Sequence, residues 1–288
     1  MSGTIRLWAA VFKLRIGVAI MLCALAGVAA TPGSGPGAAP LLVLALAVLL
    51  SSASAGAYNQ YAERELDAHM GRTRTRPFVT GQLRADWRWP AAIGLLLAMS
   101  VAGAWFATNA LAAAFVFLGA FTYGIVYTVW LKRLTWLNIV VGGLAGSFAV
   151  LAGAAAVDPN LALEPAILAL VLFLWTPPHF WSLAFAYRRD YRAAGVPMLP
   201  VVVSDAASAR VIFAHTVALT ALSLVPGFLG LGAIYLSGAI VGGAWFLHAS
   251  WQLVRQPDTR HAMRNFHASL GQLSLLLLAT IVDRWLLG

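Results

Sequence analysis

Charge is scarce in this chain. Asp and Glu together number 10 and Lys and Arg 19, and all four make up only 10% of the 288 residues. A disordered chain needs high charge and low hydrophobicity, so that class is excluded. Cysteine occurs once, at Cys23, which leaves neither a disulfide framework nor a cysteine-built metal cluster and makes the redox compartment unreadable. Low-complexity tracts, short sequence repeats and a polar stretch long enough for a soluble domain are also missing. No basic tail and no interleaving of basic with aromatic residues accompanies the net charge of +9, so it is not the footprint of a nucleic-acid binder.

Apolar residues are plentiful instead, at 61% against about 45–50% for a soluble domain. Such a chain has too little polar surface to cover itself in water. It contains many apolar stretches of about 20 residues, the length that crosses a hydrocarbon core of about 30 Å. Nine spans are expected, at approximately 14–31, 41–60, 90–108, 110–128, 137–157, 162–181, 207–226, 229–250 and 269–287. Breaks fall where turn chemistry is dense, as at Pro32-Gly33-Ser34-Gly35-Pro36-Gly37 and Pro226-Gly227, and the shortest is Thr108-Asn109. The first stretch follows a basic segment but runs through Gly27 to Ala30 without a cleavage signal, so it reads as a retained helix. The expected fold is an all-α polytopic membrane helix bundle, a single domain over 1–288.

The basic residues orient it. With the N-terminus in the cytoplasm and the sides alternating, Arg6, Lys13 and Arg15, the arginines between 64 and 88, Lys132-Arg133, the group from Arg188 to Arg210 and the group from Arg255 to Arg264 all fall on one side. Only Arg284 falls on the other. An even number of spans would destroy this segregation, which follows the cytoplasmic bias of Lys and Arg. Two long polar connections, at about 61–89 and 182–206, lie on the same face and are the expected place for chemistry.

The first connection opens with Asn59, Glu63 and Asp67, four residues apart, which on a helix form one stripe about 12 Å long. Neighbouring carboxylates on one face repel, and a divalent cation reverses that sign. The donors are all oxygen, with no His or Cys at ligand spacing, which favours Mg²⁺ over zinc. Arg72 and Arg76 follow within reach of a phosphate. A solvated helix end, its acids neutralised by Arg64 and Arg72, accounts for the spacing as well as a metal site does.

The second constellation is Trp175-Thr176-Pro177-Pro178-His179-Phe180-Trp181, expected to end a span, with Asp190-Tyr191 and Gly195-Val196-Pro197-Met198-Leu199-Pro200 beyond it. The double proline removes two backbone donors and is expected to kink the span. His179 and Asp190 are eleven residues apart, close to one helical face. A lone His there is also an ordinary interfacial residue. A third patch holds Tyr127, Lys132 and Arg133, which read equally as topology anchors.

At these residues the sequence resembles the intramembrane UbiA-type prenyltransferases, and among them the protohaem IX farnesyltransferase (haem O synthase) branch. Asn59, Glu63 and Asp67 match that pattern, with Gln60 where quinone-type members carry an acid. His179 and Ala186 stand where those relatives carry Asp, and Asp190 keeps the carboxylate. Glu63 in place of the usual Asp and Leu14 in place of the usual Pro are departures; the first lengthens a ligand arm. The resemblance implies transfer of the farnesyl group of farnesyl diphosphate to a vinyl group of haem b, releasing diphosphate, with Mg²⁺ as cofactor. It implies metal ligands at Asn59, Glu63, Asp67 and Asp190, and substrate contacts from Arg72, Arg76, Tyr127, Lys132 and Arg133. His179 is implied either beside the diphosphate or beside the haem, with His69 as another iron contact. His215 and His248 are expected to be packing residues. The implied setting is a bacterial inner membrane with the site facing the cytoplasm, among membrane lipid, supplying a downstream haem A synthase or terminal oxidase assembly. Two alternatives differ in kind: a prenyltransferase for an aromatic quinone precursor, and a non-catalytic haem or lipid transporter or assembly factor.

Overall fold

The structure, a computed structural model, describes residues 3–287, which form helices joined by short connections and, among the described residues, no strand. In chain order these are α1 (Gly3–Val11), α2 (Leu14–Ala30), α3 (Ala38–Ala62), α4 (Arg64–Ala68), α5 (Arg88–Ala107) and α6 (Ala110–Phe121). The last continues as a π-helical stretch, Thr122–Leu131. Then come α7 (Asn138–Gly142), α8 (Leu144–Val157), α9 (Leu163–Ala186), α10 (Arg188–Ala193), α11 (Leu199–Val202), α12 (Asp205–Ser223), α13 (Pro226–Leu229), α14 (Ala233–Arg255) and α15 (Thr259–Leu287). Eight segments are long and apolar enough to cross a membrane, and a ninth is possible if α1 and α2, bent by 53° at their junction, count as one. The expected all-α membrane bundle is therefore the observed one, with eight to nine candidate spans.

Three differences from the sequence expectation affect the site. Helix α9 does not stop at Trp181 but runs unbroken through Pro177 and Pro178 to Ala186. The Oγ of Ser182 donates to the Pro178 carbonyl at 2.6 Å, one turn back along the same helix. Helix α15 starts ten residues before the apolar run, so Arg260 and Arg264 sit on a helix and not in a loop. The polar connection expected at 182–206 is largely helical, divided among α9, α10 and α11. A helix does not end where hydropathy ends, because its backbone bonds persist once the segment enters water. At Thr108-Asn109 the expected turn is present, and Asn109 caps α6 by accepting from the Ala112 amide at 2.9 Å.

Small residues hold the bundle together. A Cβ on Gly27 of α2 would strike the Val150 carbonyl of α8, and one on Gly153 of α8 would strike the Ala24 carbonyl of α2. The two backbones touch directly, as membrane helices do when packing must replace hydrophobic exclusion. Large apolar side chains such as Phe106, Phe228 and Trp285 face outward instead, toward lipid. The membrane core joins α2, α3, α8, α9, α14 and α15, and a second apolar cluster around Met70, Trp181, Phe185, Tyr191 and Met198 underlies the polar connections.

Candidate functional site

The stripe survives folding although its helix does not. Helix α3 ends at Ala62 and α4 begins at Arg64, yet Glu63 N still donates to the Asn59 carbonyl (3.0 Å) and Asp67 N to the Glu63 carbonyl (2.8 Å). Asn59, Glu63 and Asp67 therefore stay on one face, and all three are buried at 2%, 4% and 1% exposure. That burial rules out a solvated helix end. Buried carboxylates require partners, and the partners come from elsewhere in the chain.

Each oxygen group is held by a different cation. Lys132 Nζ lies 2.6 Å from both oxygens of Glu63. The Arg76 guanidinium donates to Asp67 Oδ2 at 2.5 Å, and Lys13 Nζ to Asn59 Oδ1 at 2.5 Å. Lys13 also donates to the Tyr123 hydroxyl (2.9 Å), and the Asn59 amide donates to Thr128 Oγ1 (3.0 Å). Burial pushes the Lys132 ammonium below its ordinary value, while the Glu63 carboxylate pulls it back up.

Local structure aims these groups. In the π-helical stretch the Lys132 amide bonds the Tyr127 carbonyl, five residues back, at 3.0 Å. The wider turn puts Tyr127, Thr128 and Lys132 all on the buried side. Tyr127 lies under the Lys132 ammonium (5.6 Å) and stacks on Tyr123 (5.6 Å). Arg133, next to Lys132, is exposed and forms no ion pair among the described residues. The buried Asn138 amide steadies the turn by donating to the carbonyls of Lys132 (3.3 Å) and Thr135 (2.6 Å).

Asp190 of α10 lies beside the segment that follows the stripe. Its Oδ2 is 3.3 Å from where a Cβ on Gly71 would stand, just after the stripe. Tyr191 is buried beneath it; burial raises its phenol above the ordinary value and the neighbouring Arg72 opposes that shift. Four cations (Lys13, Arg72, Arg76, Lys132) thus meet two carboxylates (Glu63, Asp67), an excess of positive charge suited to an anion. No group of three His, Cys, Asp or Glu side chains is close enough to hold a metal ion by itself among the described residues. An all-oxygen set with one or two carboxylates at a time still fits Mg²⁺, which keeps waters and takes remaining ligands from phosphate.

His179 is elsewhere. Because α9 ends at Ala186, His179 and Asp190 do not share a helix, and the expected common face is absent. The imidazole is stacked between Trp175 (4.1 Å) and Phe266 (4.6 Å), with Nδ1 2.7 Å from Ser269 Oγ of α15. Asn265, Ser269 and Gln272 form a fully buried polar seam along α15, and neither polar atom of the Gln272 amide has a partner. Sequence reading missed this seam, whose residues are uncharged and spaced like ordinary helix positions. His69 is exposed and bonds the Glu65 carbonyl (2.9 Å), while His215 packs edge-on against Trp181 (5.2 Å). His248 is not a packing residue. It lies exposed on the outer face of α14, bonded to Gln252 (2.9 Å), beside a groove with Trp245, Arg264 and His267.

A partly open apolar groove descends from the cation cluster between α2, α3, α6 and α8. Lys13 and Tyr123 stand with Ile16, Ile20, Val48 and Phe115 in its lining. Sequence reading also missed the parts of Lys13 and Gln60. The Gln60 amide donates to the carbonyls of Ala10 (2.6 Å) and Val11 (3.1 Å), tying α3 to the end of α1 just before Lys13. The only sequence signal was the amide itself, standing where relatives carry an acid.

A buried anion site against an apolar groove at one end of a membrane bundle invites comparison with known proteins. A sequence model of the UbiA prenyltransferase family matches residues 20–276. "Protoheme IX farnesyltransferase 2" of Paramagnetospirillum magneticum (strain ATCC 700264 / AMB-1) is 59% identical over 288 residues, 100% of both chains. A structure of digeranylgeranylglyceryl phosphate synthase superposes with a TM-score of 0.78 at 18% identity, covering 97% of this chain and 98% of that one. A UbiA homologue from Archaeoglobus fulgidus, bound to DMAPP and Mg²⁺, superposes at 0.73 with 14% identity, covering 93% and 98%. The two structures share the fold. The family match and the full-length relative go further, and the chain belongs to the UbiA prenyltransferase family as an intramembrane prenyltransferase.

Proposed function

We propose that the chain transfers the farnesyl group of farnesyl diphosphate to a vinyl group of haem b, giving haem O and diphosphate. The chain, 1–288, acts as one catalytic domain in the bacterial inner membrane, with its site at the cytoplasmic face. The name of the full-length relative supports the acceptor, and the segregation of basic residues supports the orientation. One observation carries the chemistry: a buried row of oxygen ligands, each with its own cation, at the mouth of an apolar groove.

The hard step breaks the C1–O bond of the allylic diphosphate, whose electron pair leaves with the diphosphate. The vinyl carbon then forms the new C–C bond, and water captures the resulting cation and loses a proton to solvent, leaving the hydroxyl of the hydroxyethylfarnesyl group. Asn59, Glu63 and Asp67 would hold Mg²⁺, and Asp190 a second ion beside it; when bound, the metal supplies positive charge against the charge gathering on the leaving group. Arg72, Arg76 and Lys132 would bind the remaining phosphate oxygens, where prearranged donors are most effective. Arg133 is exposed and fits the approach of the anion better than its final binding. The groove would take the prenyl chain and exclude water, with the ring faces of Tyr123 and Tyr127 favouring positive charge near the mouth. His179 fits the acceptor side: it belongs to the α9–α15 seam, and its Nε2 has no hydrogen-bond partner among the described residues. Haem b, membrane lipid and a downstream haem-modifying or oxidase-assembly step complete the proposed setting.

The test is purified protein incubated with Mg²⁺, farnesyl diphosphate and haem b, with products analysed by mass. Farnesylated haem is expected. Its absence from a folded, metal-replete sample overturns the assignment, and prenylation of an aromatic acid in its place would transfer the chain to the quinone branch.

A further inference from the structure

The three ligands nearest each other in the proposed metal site are already engaged. Lys132 uses both oxygens of Glu63, Arg76 holds one oxygen of Asp67, and Lys13 holds the Asn59 carbonyl oxygen. These are not exposed pairs, which contribute little; the Glu63 and Lys132 side chains are 5% and 9% exposed. A divalent ion arriving alone at Glu63 would have to expel a buried ammonium and leave it without a partner, a costly arrangement. A diphosphate arriving with the ion changes this, because its oxygens take over the displaced cations while the metal takes over the carboxylates.

We propose that Lys13, Lys132 and Arg76 are place-holders that close the metal site until diphosphate draws them away, so that the ion binds as a metal–diphosphate pair and not by itself. This rests on the metal–diphosphate reading above and adds Lys13 to the diphosphate-binding residues. The absence of a ready-made three-carboxylate cluster among the described residues agrees, since the ion then needs phosphate to complete its shell.

Lys13 is held for the purpose by four features. It occupies the break between α1 and α2 in the left-handed region (φ 47°, ψ 43°), where non-glycine residues are rare. Such a conformation persists only when its surroundings enforce it. Gln60 fixes the preceding carbonyls, and Gly56 of α3 lets the turn approach; a Cβ there would stand 3.3 Å from both Lys13 Cβ and the Phe12 carbonyl oxygen. The Tyr123 hydroxyl then directs the ammonium to the groove mouth.

The experiment uses the full chain in detergent, with Mn²⁺ as a paramagnetic probe and inorganic pyrophosphate as the anion, measuring protein-bound metal and bound anion together by dialysis. Wild type is expected to bind Mn²⁺ about tenfold or more tightly when pyrophosphate is bound. Lys132→Gln is expected to strengthen binding of Mn²⁺ alone and to shrink that coupling; Lys13→Met, which leaves Glu63 and Asp67 untouched, is expected to shrink the coupling as well. Equal Mn²⁺ affinity with and without pyrophosphate overturns the place-holder proposal while leaving a metal site standing. Coupling that survives in both variants also overturns it. No bound Mn²⁺ under either condition overturns the proposal together with the metal–diphosphate reading it rests on.

Discussion

At the scale of single residues the site is a set of charge pairs, and removing one member does two things at once. Asp67→Ala deletes a proposed metal ligand and leaves Arg76 without its 2.5 Å partner. The expected outcome is a fall in kcat of about a hundredfold or more, the usual size for loss of a group that stabilises developing charge. Full activity in a steady-state assay would remove Asp67 from the site. His179 should behave differently. His179→Phe keeps an aromatic ring between Trp175 and Phe266 but has no nitrogen for Ser269 or for an acceptor. Binding of pyrophosphate and Mn²⁺ is expected to stay within about twofold of wild type while farnesyl transfer to haem falls about tenfold or more. Equal loss of both would place His179 on the diphosphate side. The row of Asn59, Glu63 and Asp67 was legible in the sequence by type and spacing, whereas the spacing of His179 and Asp190 misled because α9 ends between them. Which cation meets which oxygen group was not legible, because Lys13 lies 46 residues from Asn59 and Lys132 lies 69 from Glu63. Such pairs are set by how helices pack and leave no local pattern.

At the scale of elements, two features outside the site hold the helices in place. Asp283 of α15 is buried, and its carboxylate accepts from the amides of Gly232 (2.6 Å), Ile234 (3.1 Å) and Tyr235 (3.1 Å). It caps the N-terminus of α14 from the neighbouring helix, satisfying donors that the helix leaves open and meeting the positive end of its dipole. Asp283→Ala is expected to cost about 2 kcal/mol or more, since buried donors lose their acceptor. Thermal unfolding in detergent measures this, and an unchanged midpoint would refute the cap. The second feature is the contact between α2 and α8. Gly153→Val places a side chain against the Ala24 backbone, where nothing flexible can yield. Overpacking of this kind costs about 1–3 kcal/mol and more when backbone must move, so poor yield of folded protein is expected; wild-type stability would mean the helices do not meet this closely. Hydropathy made the long membrane spans legible, and Asn109 marked the shortest turn. It could not place the ends of α9 and α15, which continue as helix beyond the apolar run, nor the π-helical turns ahead of Lys132. Those depend on backbone and side-chain hydrogen bonds, such as those of Asn138 and Ser182, that hydropathy does not register.

At the scale of the whole molecule, the argument concerns which side the site faces. If 31–37 and 158–162 lie outside and 69–87 inside, nearly every cation is on the cytoplasmic face, and anionic substrate meets it there. The chain offers a clean way to measure this, because its one cysteine, Cys23, is 2% exposed within α2 and gives no background to an aqueous thiol reagent. Exposed positions are available on both sides: Ser34 and Asn160 in the expected outer loops and Gln82 in the expected inner one. In intact cells a membrane-impermeant maleimide is expected to label Ser34→Cys and Asn160→Cys but not Gln82→Cys, with Gln82→Cys becoming reactive once the inner membrane is opened. The reverse pattern would invert the molecule, leaving fold and site chemistry intact but putting the diphosphate site on the side without the basic bias. Labelling of Ser34→Cys and Asn160→Cys on opposite faces would instead mean that the number of crossings between them is odd, and the nine-span arrangement itself would fall.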